Sequence, residues 1–263
     1  MPEGDTVYIT SRRLQAALAG RTVTRFDLRV PALALADLTG NTVTEVVPRG
    51  KHILMRFSTG QTLHSHLRMD GGWRVGPAGA RPAGRDFEIR ALVGNAEWLA
   101  AGFRVHDLKL LPTEAEDEVV GHLGPDLLAA DFDRAEALRR FAAQPSRPIG
   151  EALLDQRLVA GIGNVYKSEL LFLNRLSPFL PVGEVPDLGA LIDDSVRLLR
   201  GNLGDHNRST TGWRQPGQRL WIYGRAGKAC RRCGTRVVMC EQGADPATER
   251  LTYYCPSCQP MPG

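Results

Sequence analysis

Two pairs of cysteines near the end of the chain, Cys230-x-x-Cys233 and Cys255-x-x-Cys258, restrict its fold more than any other feature. Twenty-one residues separate the pairs, and each pair can present two thiolates from a tight turn. Four thiolates complete a tetrahedral Zn²⁺ site without an open position, so we expect one structural zinc ion. Between the pairs, TRVVMCEQ and RLTYYC alternate like the strands of a hairpin. The fifth cysteine, Cys240, is not assigned to the metal.

The composition is that of a soluble globular protein. Of 263 residues, 43% are hydrophobic and 24% are charged, which suits two modest domains and an appendage. No apolar run approaches the ~18 residues of a membrane span, and no signal-peptide pattern opens the chain. We therefore expect a cytoplasmic protein, where disulfides are rare and clustered cysteines favour metal binding.

The net charge of +4 is unevenly distributed. Residues 201–263 contain nine Lys and Arg against four Asp and Glu, whereas residues 113–145 contain three Arg against eight acidic residues. A basic C-terminal part beside an acidic middle suggests a polyanionic partner. The alternative is a basic tail that is simply solvated.

The chain opens with Met1-Pro2-Glu3-Gly4. Methionine before proline is normally removed, which would leave Pro2 as a secondary amine with a reference pKa near 7.7–8.0. Such an amine can attack a sugar carbon and form a cationic iminium, and the Glu3 carboxylate could move protons for that reaction. The alternative is that these residues are only where the gene starts.

A helix should follow, capped by Asp5 or Thr6, with Val7, Leu14 and Leu18 on one face and Gly20 at its end. From residue 21 to about 112, short runs rich in Val, Ile, Thr and aromatic residues predict an antiparallel β-sandwich or barrel. Helical patterns come next, at 131–143, from Ser146 onward, at 165–176 and at 188–203. We predict domains at 1–112, 113–222 and 223–263.

The segment Gly161-Ile162-Gly163-Asn164 directly precedes the third of these helices. Exposed amides at a helix start bind phosphate oxygens, and glycine lets the phosphate come close to the backbone. The alternative is an ordinary turn between helices in which Asn164 is the N-cap.

Taken together, MPEG, PRGKH, SHLRM, GIGN and the paired CxxC with RLTYYCPSCQ resemble the formamidopyrimidine-DNA glycosylase / endonuclease VIII family of base-excision repair enzymes. The likeness spans nearly the whole chain in order. It implies an α+β multidomain fold, with an N-terminal antiparallel β-sandwich, a helix–two-turn–helix domain and a C-terminal zinc-finger β-hairpin.

The resemblance also implies roles for individual residues. Pro2 would be the nucleophile and Glu3 the proton donor and acceptor, while Lys51 and Arg250 would bind phosphate and assist β- and δ-elimination. The implied DNA-binding residues are His66, Arg68, Met69, His122 and Asn164. Met69 resembles the wedge that fills the gap left by a flipped base, although without the resemblance it would be assigned to the core. The implied partner is damaged DNA, bound by a nucleoid-associated monomer.

Within the family, the opening MPEGD resembles the endonuclease VIII branch, and the DPRRFG-like loop of the other branch is absent. Oxidised pyrimidines are therefore favoured over oxidised purines. The chain departs from endonuclease VIII at Arg68-Met69-Asp70 and at His122-Leu123, so its reading of the opposite base should differ. The alternatives are a purine-preferring glycosylase and an inactive zinc-finger DNA-binding protein of the same fold.

Overall fold

Helix α1 (Gly4–Leu18) opens the computed structural model, which describes residues 2–204, 207–243 and 249–261. Val7, Leu14 and Leu18 are buried on one face, as predicted. Gly20 follows the helix with φ +75°, a conformation that glycine adopts without steric cost. The predicted cap at Asp5 or Thr6 is wrong, because Glu3 has the extended N-cap backbone and its carbonyl accepts a hydrogen bond from Val7 N.

Eight strands form two four-stranded sheets in which every pair is antiparallel, in the orders β1-β6-β7-β5 and β2-β3-β4-β8. Apolar side chains of α1 and of both sheets join in one buried cluster, which confirms the predicted β-sandwich. The strands are β1 (Arg25–Leu28), β2 (Val43–Arg49), β3 (His52–Phe57), β4 (Gln61–His66), β5 (Gly72–Pro77), β6 (Ile89–Gly94), β7 (Trp98–Phe103) and β8 (Asp107–Pro112).

Two side-chain hydrogen bonds fix α1 to the strands. Gln15 Oε1 accepts from Val46 N at 2.5 Å, and the buried Asn95 donates from Nδ2 to the Ala17 carbonyl at 2.8 Å. The position of Pro2 and Glu3, at the start of this helix, is therefore set by the sandwich.

The helices that follow are α2 (Asp117–Val120), α3 (Arg134–Ala142), α4 (Ile149–Ala152), α5 (Asn164–Leu173) and α6 (Leu188–Arg200). The carboxylates of Asp133 and Asp187 cap α3 and α6 by accepting backbone N–H groups. The helix predicted from Ser146 onward is only a single turn, α4, and α5 ends before Leu176 because Arg175 takes a left-handed backbone conformation.

The zinc-finger hairpin is formed by β9 (Val238–Gln242) and β10 (Arg250–Tyr254), with Thr252 opposite Cys240. A buried cluster of Phe172, Ile222, Cys230, Val237 and Cys255 packs the hairpin region against α5. The α+β fold class is thus confirmed.

The chain forms two compact units that divide between His122 and Leu123. The boundaries at 112/113 and 222/223 stay predictions. Among the described residues, no helix is both long and apolar enough to cross a lipid bilayer.

Candidate active site and nucleic-acid interface

Pro2 and Glu3 lie at the N-terminus of α1, while Met1 lies outside the described residues. Pro2 is partly exposed, whereas Glu3 is fully buried. A partly exposed proline is thus followed directly in the chain by a buried carboxylate. This is the pair of groups that an amine nucleophile and its proton carrier require.

Lys51 lies in the two-residue turn between β2 and β3, since Arg49 pairs directly with His52. Gly50, at the first turn position, has φ +56°, and the common two-residue hairpin turns require a positive φ at this position. The turn presents the partly exposed Lys51 at one end of the sheet.

Four histidines gather beside this turn, and we call His52, His64, His66 and His122 the histidine cluster. The His52 Nδ1 and His64 Nε2 atoms are 2.8 Å apart, and the ring centroids of His66 and His122 lie 4.7 and 6.1 Å from that of His52. Burial lowers the pKa of His52 to about 2, and it lowers the pKa of His64 and of His66 to about 4. These three imidazoles are therefore neutral at neutral pH.

The turn after β4 carries Arg68, Met69 and Asp70, all exposed. Met69 is 64% exposed, so its assignment to the core is wrong. Arg68 has φ +53° and pairs with Asp107 at 2.7 Å, and its backbone N–H donates to His66 Nδ1 at 3.1 Å. That bond leaves the proton of the neutral His66 ring on Nε2.

Asn164 is the first residue of α5, and Gly163 rather than Asn164 holds the N-cap position. The reading of Asn164 as an ordinary N-cap is therefore wrong. Its Nδ2 donates to the Leu251 carbonyl of β10 at 2.6 Å. Its Oδ1 is buried and has no hydrogen-bond partner among the described residues.

Arg250, the first residue of β10, is exposed and directly precedes Leu251, so Asn164 and the Arg250 strand are brought together. One helical turn further, the fully buried Lys167 donates from Nζ to Thr252 Oγ1 at 2.6 Å. Thr252 then donates to Gln242 Oε1 at 3.0 Å, and Gln242 Nε2 donates to the Pro178 carbonyl at 2.8 Å. This series of bonds, the Lys167–Gln242 chain, fixes the hairpin on α5.

Glu169, also on α5 and fully buried, fixes the segment before the cysteine pairs. Its carboxylate accepts the backbone N–H groups of Trp221, Ile222 and Tyr223, each at 2.8 Å, and the Thr210 hydroxyl. Burial nevertheless raises the pKa of Glu169.

The Sγ atoms of Cys230, Cys233, Cys255 and Cys258 all lie within 4.8 Å of one another. Zinc–sulfur bonds of about 2.3 Å in a tetrahedron place sulfurs roughly 3.8 Å apart, so the four cysteines fit one zinc ion. Cys240 lies on β9 outside this group, as expected.

The comparisons with known proteins agree on one family. The formamidopyrimidine-DNA glycosylase N-terminal domain matches residues 1–104, and the formamidopyrimidine-DNA glycosylase H2TH (helix–two-turn–helix) domain matches residues 123–204. The "Probable endonuclease 8 2" of Streptomyces coelicolor is 53% identical, with 100% of this chain and 97% of the relative covered. The chain belongs to the formamidopyrimidine-DNA glycosylase family.

Within that family it lies in the endonuclease VIII-like branch, as predicted. The "DNA-(apurinic or apyrimidinic site) lyase Nei2" of Mycolicibacterium smegmatis is 44% identical, covering 98% of this chain and 99% of the relative. A solved complex of Lactococcus lactis Fpg with abasic-site DNA superposes with a TM-score of 0.81 at 25% identity, covering 99% of this chain and all of that one. The enzyme class, a DNA glycosylase and AP lyase, and the structural zinc site are confirmed with the family.

Sequence reasoning about this glycosylase missed four polar residues, of which His64, Lys167 and Glu169 are buried and His52 is partly buried. His52 and His64 occur within alternating strands, and only the β3–β4 register shows that their rings meet. Lys167 and Glu169 lie on a helix that is otherwise mostly apolar, and their charge within it was the only sequence signal that they have buried polar partners.

Proposed function

We propose that the chain removes oxidised pyrimidines from DNA by attack of the Pro2 nitrogen on the deoxyribose C1′, once Met1 has been removed. The observation that carries the proposal is the pairing, at the start of α1, of an accessible Pro2 with a fully buried Glu3. The relatives named endonuclease 8 and DNA-(apurinic or apyrimidinic site) lyase support it.

In this mechanism the nitrogen lone pair bonds to C1′ as the bond to the damaged base breaks, and Glu3 carries the protons that the ring opening requires. The resulting iminium acidifies the C2′ proton, whose loss expels the 3′ phosphate by β-elimination. A second, δ-elimination expels the 5′ phosphate.

Lys51, Arg250 and Asn164 hold the phosphates, because cations and amide groups stabilise the charge of a leaving phosphate. His66 contributes a neutral Nε2–H donor, while Arg68, Met69 and His122 contact the bent duplex. The exposure of the Met69 side chain supports its proposed role as a wedge.

Cys230, Cys233, Cys255 and Cys258 would hold the zinc ion, which supplies structural stability to the hairpin when bound. We propose that the protein acts as a monomer on the chromosomal DNA of the nucleoid.

Borohydride trapping on abasic-site DNA tests the nucleophile. The mature protein should give a covalent protein–DNA adduct, and a variant that retains one extra residue before Pro2 should give none, because its nitrogen is an amide. An adduct of equal yield in the extended variant would reject Pro2, and no adduct from the mature protein would favour the inactive DNA-binding alternative.

Lesion preference is tested with matched duplexes that carry an oxidised pyrimidine or an oxidised purine. We expect faster single-turnover release of the pyrimidine. Glu3→Gln should lose base release from both, whereas a fully active Glu3→Gln protein would exclude the proton-carrier role.

A further inference from the structure

His52 connects the Lys51 turn to the histidine cluster. Its backbone pairs with Arg49 of β2 on one side and with His66 of β4 on the other. Its Nδ1 atom lies 2.8 Å from His64 Nε2, and its ring contacts those of His66 and His122. The residue that follows Lys51 is thus held by two neighbouring strands and by three imidazole rings.

Three rings of the cluster, those of His52, His64 and His66, are also uncharged at neutral pH, because burial favours the neutral form of an imidazole. A neutral ring carries one N–H donor and one acceptor, so the His52–His64 bond needs no charge. His52 can therefore restrain the chain next to Lys51 without repelling its ammonium group or competing with it for a phosphate.

We propose that His52 is a positioning residue for Lys51 in strand cleavage. The inference rests on the role proposed above for Lys51 in β-elimination. A lysine side chain has four rotatable carbon–carbon bonds, so its charge is useful at a leaving phosphate only if its backbone is held in place. The Gly50–Lys51 turn fixes one side of that backbone, and the His52 ring fixes the other.

A double-mutant cycle on abasic-site DNA tests the proposal, with borohydride trapping and strand cleavage measured separately. His52→Leu should leave the trapping rate within about twofold, because Pro2 is untouched, and should slow cleavage about 10- to 100-fold. Lys51→Ala should behave in the same way. The double variant should cleave no more slowly than Lys51→Ala alone, because the two residues act through one group.

Two further variants separate positioning from folding. His52→Asn places an amide near the Nδ1 position and should restore most of the cleavage rate. His106→Leu removes an exposed histidine outside the cluster and should cleave normally. If His52→Leu melts early, His52→Ala and the Lys51→Ala/His52→Ala double variant complete the cycle instead.

Normal cleavage by His52→Leu while Lys51→Ala is slow would overturn the positioning role and leave the role of Lys51 intact. If the factors by which the two single variants slow cleavage multiply in the double variant, the positioning role of His52 is overturned as well. Normal cleavage by Lys51→Ala would reject the proposed role of Lys51 itself, and the His52 inference with it.

Discussion

At the scale of residues, the basic side chains of the proposed DNA-binding elements occupy two environments, one exposed to solvent and one buried. Arg250 is exposed at the first position of β10 and Lys51 is partly exposed in a tight turn, whereas Lys167 is fully buried. A buried ammonium group is costly unless hydrogen bonds satisfy it, and Thr252 supplies one of them. The first two residues can meet a phosphate, and the third holds β10 in place.

Salt dependence should distinguish these surroundings. Lys51→Ala and Arg250→Ala should each reduce the slope of log K against log salt for duplex binding by about 1, because each loses one phosphate contact. Arg197→Ala, which removes an exposed arginine paired with Asp194 on α6, is the control and should leave the slope unchanged. Fluorescence anisotropy at several salt concentrations measures the slope, and an equal slope in all four proteins would contradict both contacts.

The histidine cluster should make folding stability sensitive to acid. The pKa of His64 falls to about 4 in the folded protein, whereas an imidazole ordinarily has a pKa of 6.5, so below pH 6.5 the unfolded chain takes up protons that the folded chain does not. Stability contributed by the neutral ring is thus present above pH 6.5 and lost as pH falls toward 4. The loss at pH 5 is about 2 kcal/mol.

Urea unfolding at pH 7.5 and pH 5 measures this effect. His64→Gln can keep a hydrogen-bonding atom near the Nε2 position and cannot titrate, so its stability should fall less between the two pH values than that of the parent. Equal losses in the two proteins would mean that His64 titrates normally.

At the scale of elements, α5 and the β9–β10 hairpin are joined by the Lys167–Gln242 chain, and α4 leaves room for it. A Cβ atom added to Gly150 of α4 would lie 2.6 Å from Gln242 Oε1 and 2.9 Å from the Pro178 carbonyl oxygen. The first atom can move, but the second belongs to the backbone. Glycine at this position is therefore a packing requirement of the hairpin.

Gly150→Ala should consequently destabilise the protein by about 1–3 kcal/mol through overpacking, and it should weaken DNA binding if Arg250 is displaced. Gly79→Ala is the matched control, since a Cβ there meets nothing within 4 Å. Thermal unfolding of both variants measures the difference. If Gly150→Ala is as stable as the control, the Gln242 side chain must move aside without an energetic cost.

At the scale of the whole molecule, the zinc site belongs to the unit that follows His122, while Pro2 and Glu3 belong to the unit that precedes Leu123. Each unit has its own buried apolar cluster. Loss of the metal should therefore act on one unit and spare the fold around the nucleophile.

Hydrogen exchange before and after chelation under denaturant-free conditions measures this. Amides of β9, β10 and residues 221–237 should lose protection, since structural zinc contributes directly to folding free energy. Amides of β3, β4 and β7 should keep theirs. Uniform loss of protection would show that the two units unfold together.

The sequence predicted the features that depend on local chemistry or on spacing. The buried face of α1, its end at Gly20 and the four-cysteine site follow from residue type and position alone. The histidine cluster could not be predicted, because it depends on which strands pair and in what register. The length of α4 was also missed, since its apolar residues continue past the single turn that the backbone makes.

The carboxylate of Glu169 orients the backbone that leads into the metal-binding segment. Three successive amides, at residues 221–223, all point toward one side chain, so the chain there cannot continue as a helix or a strand. Glu169 of α5 thus sets the direction in which the polypeptide approaches Cys230. Glu169→Gln, which can no longer accept all of these bonds with two oxygens, should change that direction while every zinc ligand remains in the sequence.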